Sequence, residues 1–198
     1  REGEPTTNMN AALGDAVWMT CMERNSDLII GHCYAPLFVN VNPGGMQWKS
    51  DLIGYNTLKA YGSPSYYAQV MFSNNLGNKI VPAEMINIPK FRLKLRGNQK
   101  IGDEAQQLYC SATKDSISGR IYLKIVNVTG NANKVNIQID GVDKLPKKAS
   151  IISLHADKPE DTNSIDAPTN IVPVKKNIKM SNNFDVELLP YELLVILI

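Results

Sequence analysis

Lys134-Val135-Asn136-Ile137-Gln138-Ile139-Asp140 places a branched apolar residue at every second position. Successive side chains of a strand point to opposite faces, so Val135, Ile137 and Ile139 face one way and Asn136, Gln138 and Asp140 the other. This is the pattern of a strand half buried against a core. Segments of the same kind lie on both sides of it: Leu108 to Lys114, Arg120 to Val128, Ser150 to His155, Phe184 to Leu189 and Glu192 to Ile198, with Gly, Pro, Asn and Asp between them. Short strands at regular intervals with turn signals predict an antiparallel β-sandwich of Greek-key or jelly-roll type. Val135, Ile137, Ile139, Phe184, Val186 and Leu188 are expected inward, because strands this apolar need two facing sheets to cover them. Asp157 to Pro173, polar and proline-rich, reads as a long surface loop.

Upstream of about Lys79 the pattern is different. Asn8 to Asp27 carries Met9, Ala12, Leu13, Ala16 and Val17 at helical spacing, with Thr6 and Thr7 as candidate caps, while Trp18, Met19 and Met22 make its other faces apolar too. Such a helix packs on more than one neighbour, as in the outer ring of an α/β barrel. Leu28 to Val39 is a continuous apolar stretch that reads as a strand buried on both faces, ended by Asn42-Pro43-Gly44-Gly45. Ser63-Pro64 supplies a cap and a first-turn proline for a second helix through Tyr66, Tyr67, Val70, Met71 and Phe72, closed by Asn74, Asn75 and Gly77. The expected fold is therefore mainly β, a C-terminal jelly-roll-like sandwich at 79–198 preceded by a helix, strand and helix at 1–78.

The 21 basic and 19 acidic residues give a formal charge of +2 and form no basic stripe, so neither nucleic acid nor an anionic membrane is indicated. No apolar run reaches the roughly 20 residues needed to span a bilayer. Cys21, Cys33 and Cys110 lie far apart among hydrophobic residues and are expected to be buried free thiols. With only His32 and His155 besides, no metal site is expected. His32 reads as a core histidine satisfied by hydrogen bonds, and His155 as a strand-end residue. Asn127-Val128-Thr129 fits an N-glycosylation pattern that is common by chance.

Five blocks near the start resemble, in order, the family 51 α-L-arabinofuranosidases: Ala11-Ala12-Leu13-Gly14-Asp15-Ala16, Met22-Glu23-Arg24-Asn25-Ser26-Asp27, Tyr34-Ala35-Pro36-Leu37-Phe38-Val39-Asn40, Trp48 with Asp51-Leu52-Ile53, and Tyr61-Gly62-Ser63-Pro64-Ser65-Tyr66-Tyr67. The similarity resumes at Gln107-Leu108-Tyr109, Leu123-Lys124-Ile125-Val126-Asn127, Asn163-Ser164-Ile165 and Val172-Pro173-Val174. The resemblance implies a (β/α)₈ barrel joined to a β-sandwich, with residues 1–78 as the last α-β-α part of that barrel. It also implies retaining hydrolysis of terminal α-L-arabinofuranosyl linkages in polysaccharides or oligosaccharides, without a cofactor. The family's two catalytic glutamates would lie upstream of Arg1, so no catalytic residue is expected in this chain, and the chain alone is expected to be inactive. Glu2 and Glu4 sit near the nucleophile's place but lack its motif, and read as solvated loop residues.

In such a barrel the loop after the eighth strand faces the active-site mouth. Trp48 is the foremost candidate sugar contact, since an indole stacks on a sugar face and keeps its N–H for a hydroxyl. Asn40 at the strand end is a second, with turn formation as the competing role. Some family members carry a substrate-binding glutamine two positions after the tryptophan, where this chain has Ser50, with Gln47 before it instead. Tyr109 and Tyr122, both on the polar phase of adjacent strands, suggest either a cross-strand pair or an exposed aromatic platform for sugar. The start at Arg1 is expected to mark an excised or processed chain, and a polysaccharide-degrading parent favours a periplasmic or secreted location. Removal of the rest of a barrel is expected to make the chain self-associate, or fold its first ~75 residues back on the sandwich in an arrangement unlike the parent's.

Overall fold

A computed structural model describes residues 5–92, 104–142 and 145–198. Glu2 and Glu4 lie outside the described residues. Helix α1 spans Met9–Arg24, and its cap is Asn8 rather than either threonine: Asn8 Oδ1 accepts the Ala11 N–H at 3.1 Å. Thr6 and Thr7 are buried instead, and the Thr7 hydroxyl donates to Ser63 Oγ at 2.8 Å. Three short strands follow, β1 (Phe38–Asn40), β2 (Ile53–Tyr55) and β3 (Ala60–Gly62), then α2 (Pro64–Ser73). Here the expected cap is found, with Ser63 Oγ accepting the Tyr66 N–H at 3.1 Å and Pro64 in the first turn.

The reading of Leu28 to Val39 as a buried strand is corrected. Only Phe38–Asn40 is strand, and Leu28 and Ile30 are 79% and 102% exposed. A strand exists only where neighbours accept and donate its backbone hydrogen bonds. Residues 28–36 pair with no other strand among the described residues, the Leu37 carbonyl accepts the Ile53 N–H of β2 at 3.0 Å, and β1 has a single neighbour, the parallel β2. Cys33 and His32 are consequently exposed; His32 Nε2 lies 2.9 Å from Gln69 Oε1 at the surface and is not a core histidine. Of the three thiols only Cys110 is buried, with Cys21 half-buried.

The remaining strands are β4 (Lys79–Val81), β5 (Lys90–Arg92), β6 (Glu104–Gln106), β7 (Leu108–Lys114), β8 (Ile121–Asn127), β9 (Asn133–Gln138), β10 (Lys148–His155), β11 (Val174–Lys179), β12 (Asn183–Leu188) and β13 (Glu192–Leu197). Six of them form one antiparallel sheet in the order β11-β10-β13-β8-β7-β4. Strands β9 and β12 pair separately, with Val135 opposite Val186 and Ile137 opposite Phe184. These residues and Leu188 pack on Cys110, Ile125, Ile151, Leu194 and Ile196 of the large sheet, as the alternation required. His155 ends β10 as expected.

The large sheet is covered on its second face as well. Met9, Leu13, Ala16 and Met19 of α1 and Ala68, Met71 and Phe72 of α2 pack on Val126, Leu154, Leu193 and Val195. Strands β8 and β13 are therefore buried on both faces, and residues that alternate as a polar phase lie under helices. Lys124 is one of them: fully buried, it donates to Glu23 Oε1 of α1 at 2.5 Å and lies 5.2 Å from the centre of the Phe72 ring. Ser111 donates to the other Glu23 oxygen at 2.5 Å. Tyr109 and Tyr122 share this face but pair with Val126 and Thr113 respectively, four positions apart along β8. They form neither a cross-strand pair nor a joint platform, and Tyr109 packs against the helix-side core. Asn127 is buried, its Nδ2 donating to the Asn131 and Leu189 carbonyls at 2.7 Å, so its side chain is not open to glycosylation in the folded chain.

Residues 157–173 are not a free surface loop. Their carbonyls at Asp161 and Pro159 accept the Met9 and Asn10 N–H groups at 2.9 and 2.8 Å, satisfying the first turn of α1. Asn163 and Ile171 are buried within it.

Candidate functional site

The loop that follows β1 turns at Asn42-Pro43-Gly44-Gly45, with the Gly45 N–H donating to the Asn42 carbonyl at 2.8 Å and Gly44 at φ +74°. It returns as β2 beside β1, with Asn40 opposite Tyr55 and Phe38 opposite Ile53. Phe38, Asn40 and Tyr55 thus share one face of this small sheet. Together with Gln47 and Trp48 from the loop they line a cleft of about 180 Å³. Both sequence candidates, Trp48 and Asn40, lie in it. Trp48 is 66% exposed in this chain. Phe38 and Tyr55 meet edge to face at 6.5 Å, which holds both rings at the wall.

Asn40 also performs the competing role: its Oδ1 accepts the Asn42 N–H at 3.0 Å. That bond orients the amide and leaves Nδ2, which has no partner among the described residues, to face a hydroxyl. Gly45 is required there, since a Cβ would stand 2.8 Å from Asn40 Cγ. Gln47 takes a wall position that sequence reasoning had noted only as a departure from the family pattern. Phe38 and Tyr55 were missed. Phe38 was available from its spacing two residues before Asn40, whereas Tyr55 needs the parallel β1–β2 pairing, which no local pattern announces.

A second polar group lies beneath, between α1, residues 34–51 and the start of α2. Asp51 is fully buried, and neither of its carboxylate oxygens has a hydrogen-bond partner among the described residues. Burial pushes its carboxyl above the ordinary value of 3.8. Burial likewise raises Asp15, opposed by Ser65 and His32, and raises the Tyr34 phenol, with the negative Asp15 adding to the effect. A raised acid holds its proton more tightly folded than unfolded, so it stabilises below the unfolded value and loses that contribution as pH rises through the folded one. Asp51→Asn is therefore expected to raise the denaturation midpoint at neutral pH and to match the wild type near pH ~3, where both side chains are neutral. Urea melts at the two pH values check this; a destabilised variant at neutral pH would show that the carboxylate is compensated.

A larger cavity of about 470 Å³ opens between the C-terminal halves of α1 and α2 and the β4–β7 edge, walled by Met19, Met22, Phe72, Leu76 and Ile80. Its carboxylate, Glu23, is already bound to Lys124 and Ser111. The small cleft sets an exposed indole beside the amides of Asn40 and Gln47, groups suited to a sugar, whereas the larger one, although Gln69 and Asn78 reach it, is walled mainly by aliphatic side chains. Among the described residues no group of three or more His, Cys, Asp or Glu could hold a metal ion, and no helix is long and apolar enough to cross a membrane.

The fold is an antiparallel sandwich backed by two helices and carrying an open, aromatic-walled cleft. The chain belongs to the α-L-arabinofuranosidase C-terminal domain family, whose model matches residues 1–191. It is 28% identical over 182 residues to α-L-arabinofuranosidase 2 of Arabidopsis thaliana, covering 90% of this chain and 24% of that protein. An extracellular exo-α-L-arabinofuranosidase of Streptomyces chartreusis is 36% identical over 90 residues, 44% of this chain and 11% of that protein. An arabinose-bound GH51 α-L-arabinofuranosidase structure superposes with a TM-score of 0.84 at 26% identity, covering 98% of this chain and 28% of that one. The chain thus spans about a quarter of the length of the relatives it matches over most of its own.

Proposed function

We propose that this chain completes a retaining α-L-arabinofuranosidase that releases terminal α-L-arabinofuranosyl residues from arabinose-containing polysaccharides or oligosaccharides. Residues 1–78 close the catalytic (β/α)₈ barrel, and residues 79–198 form the sandwich that supports it. Retention requires an acid and a nucleophilic carboxylate about 5 to 5.5 Å apart, and both belong to the part of the barrel upstream. The observation that carries the reading is the cleft at the end of β1, where Trp48, Asn40, Gln47 and Tyr55 converge at the place a barrel strand delivers its loop to the active-site mouth. Trp48 stacks on the sugar ring and Asn40 Nδ2 donates to a hydroxyl.

In an enzyme carrying this chain as its C-terminal region, Trp48→Ala is expected to lower kcat/KM on an aryl α-L-arabinofuranoside about tenfold, roughly 1.4 kcal/mol of transition-state stabilisation. The isolated chain should not turn this substrate over. Unchanged kcat/KM in the variant would remove Trp48 from the site, and turnover by the purified chain would overturn the division of labour.

The isolated chain is also proposed to self-associate. Trp18, Leu28, Ile30 and Phe38 are exposed, and the free edge of β1 is a template for another strand. Light scattering over a dilution series should show a mass that falls with concentration; a constant monomer mass would refute it.

A further inference from the structure

The charge of this chain is unevenly placed. Residues 145–155 and 172–181, which contain β10 and β11, hold five lysines and no acidic residue, so the rest of a chain whose total is only +2 is net acidic. All five, Lys147, Lys148, Lys175, Lys176 and Lys179, are exposed, and none makes an ion pair among the described residues. Register puts Lys148 directly opposite Lys179. Like charges in that position repel and destabilise the pair. On the same face Ser150 donates to Asn177 Oδ1 at 2.9 Å, and Lys175 follows opposite Ile152. Lys179 and Lys175 are four residues apart, roughly 13 Å along the strand.

An edge strand needs some charge to discourage pairing with another chain, and one or two lysines achieve that. Five on both sides of the edge, with a facing pair and no counter-charge among the described residues, exceed that need. Their cationic side chains flank an exposed ledge of hydroxyl and amide groups. We propose that the β10–β11 edge is a docking surface for an anionic polysaccharide, a linear glycan that carries carboxylates at repeated intervals. Lys148, Lys175 and Lys179 meet successive carboxylates, and Ser150 and Asn177 face sugar hydroxyls between them. The choice of a glycan among polyanions rests on the glycosidase reading above. Docking would hold the enzyme on an acidic matrix while the separate cleft at Trp48 takes the arabinosyl ends.

The test uses the 198-residue chain by itself, so that it reads binding and not hydrolysis; turnover by an enzyme containing Trp48 is measured apart. Mobility is compared in native gels containing polygalacturonate, neutral debranched arabinan or neither. Retardation by polygalacturonate alone, abolished by molar salt, is expected. Lys148→Gln/Lys175→Gln/Lys179→Gln should weaken it about tenfold with an unchanged or slightly raised melting temperature. Lys79→Gln/Lys114→Gln, which removes another facing lysine pair on β4 and β7, should leave it unchanged. The proposal is overturned if the triple variant binds as wild type, if the control pair weakens binding equally, if arabinan retards the chain as strongly, or if RNA or anionic vesicles of phosphatidylserine compete as well as the glycan.

Discussion

Lys124→Ala is expected to destabilise the chain by about 3–5 kcal/mol, a large part of the roughly 5–15 kcal/mol that holds a domain folded. Lys124 comes from the centre of β8 and Glu23 from the last turn of α1, so their 2.5 Å contact ties helix to sheet. Both are almost wholly enclosed, Lys124 at 0% and Glu23 at 9% side-chain exposure. Burial lowers the Lys124 ammonium below its usual range, and Glu23 opposes that shift. Removing the ammonium leaves a buried carboxylate with Ser111 as its remaining donor and a void beside Phe72. Most of the cost is therefore that of an uncompensated charge, not the worth of the pair itself. Lys124→Met with Glu23→Gln should consequently cost much less than either truncation alone, since no bare charge remains. Urea unfolding of the single and double variants measures the difference. A Lys124→Ala loss below about 1 kcal/mol would mean that water reaches Glu23 and that the pair behaves like a surface one.

That contact also shows where the sequence was readable and where it was not. Val135, Ile137 and Ile139 against Phe184, Val186 and Leu188 were legible because one face of β9 and β12 is wet, and period two then separates core from solvent. Tyr122, Lys124 and Val126 alternate in the same way, and the alternation suggests a wet face. Helices α1 and α2 cover it instead. A polar side chain on a doubly covered strand gives no local signal of burial; its partner stands 101 positions away. The cap at Ser63-Pro64 was legible because both groups are local. The stretch from Leu28 to Leu37 misled because apolar character alone does not make a strand, and most of its backbone finds no strand to pair with among the described residues. In the cleft, Trp48 and Asn40 could be placed from one strand and its loop, but Tyr55 depends on long-range pairing.

The least legible element is the one on which the second large effect depends. Asp157 to Pro173 reads as a polar loop, yet Asn163 is 1% exposed and its amide makes three hydrogen bonds. Nδ2 donates to the Gly62 and Ile171 carbonyls at 2.8 Å each, and Oδ1 accepts the Ile171 N–H at 2.7 Å. One side chain closes the loop on itself and fastens it to the residue before the α2 cap. Thr162 adds a bond to the Thr7 carbonyl at 2.8 Å, and the carbonyls before it complete the first turn of α1. Asn163→Ala leaves two carbonyls and one N–H without partners, at about 1–3 kcal/mol for each that water cannot reach, so a loss of roughly 3 kcal/mol or more is expected. Asn163→Asp should be no better: it keeps the acceptor for Ile171 but sets a carboxylate oxygen against two carbonyls, where a donor is needed. The loop and the helix start should loosen together, because they share these bonds. Hydrogen exchange at the Met9 and Asn10 amides should therefore accelerate in Asn163→Ala well beyond what the global loss of stability produces. Unchanged protection at those two amides, with only the loop itself exchanging faster, would show that the loop merely rests on α1 and does not hold its first turn.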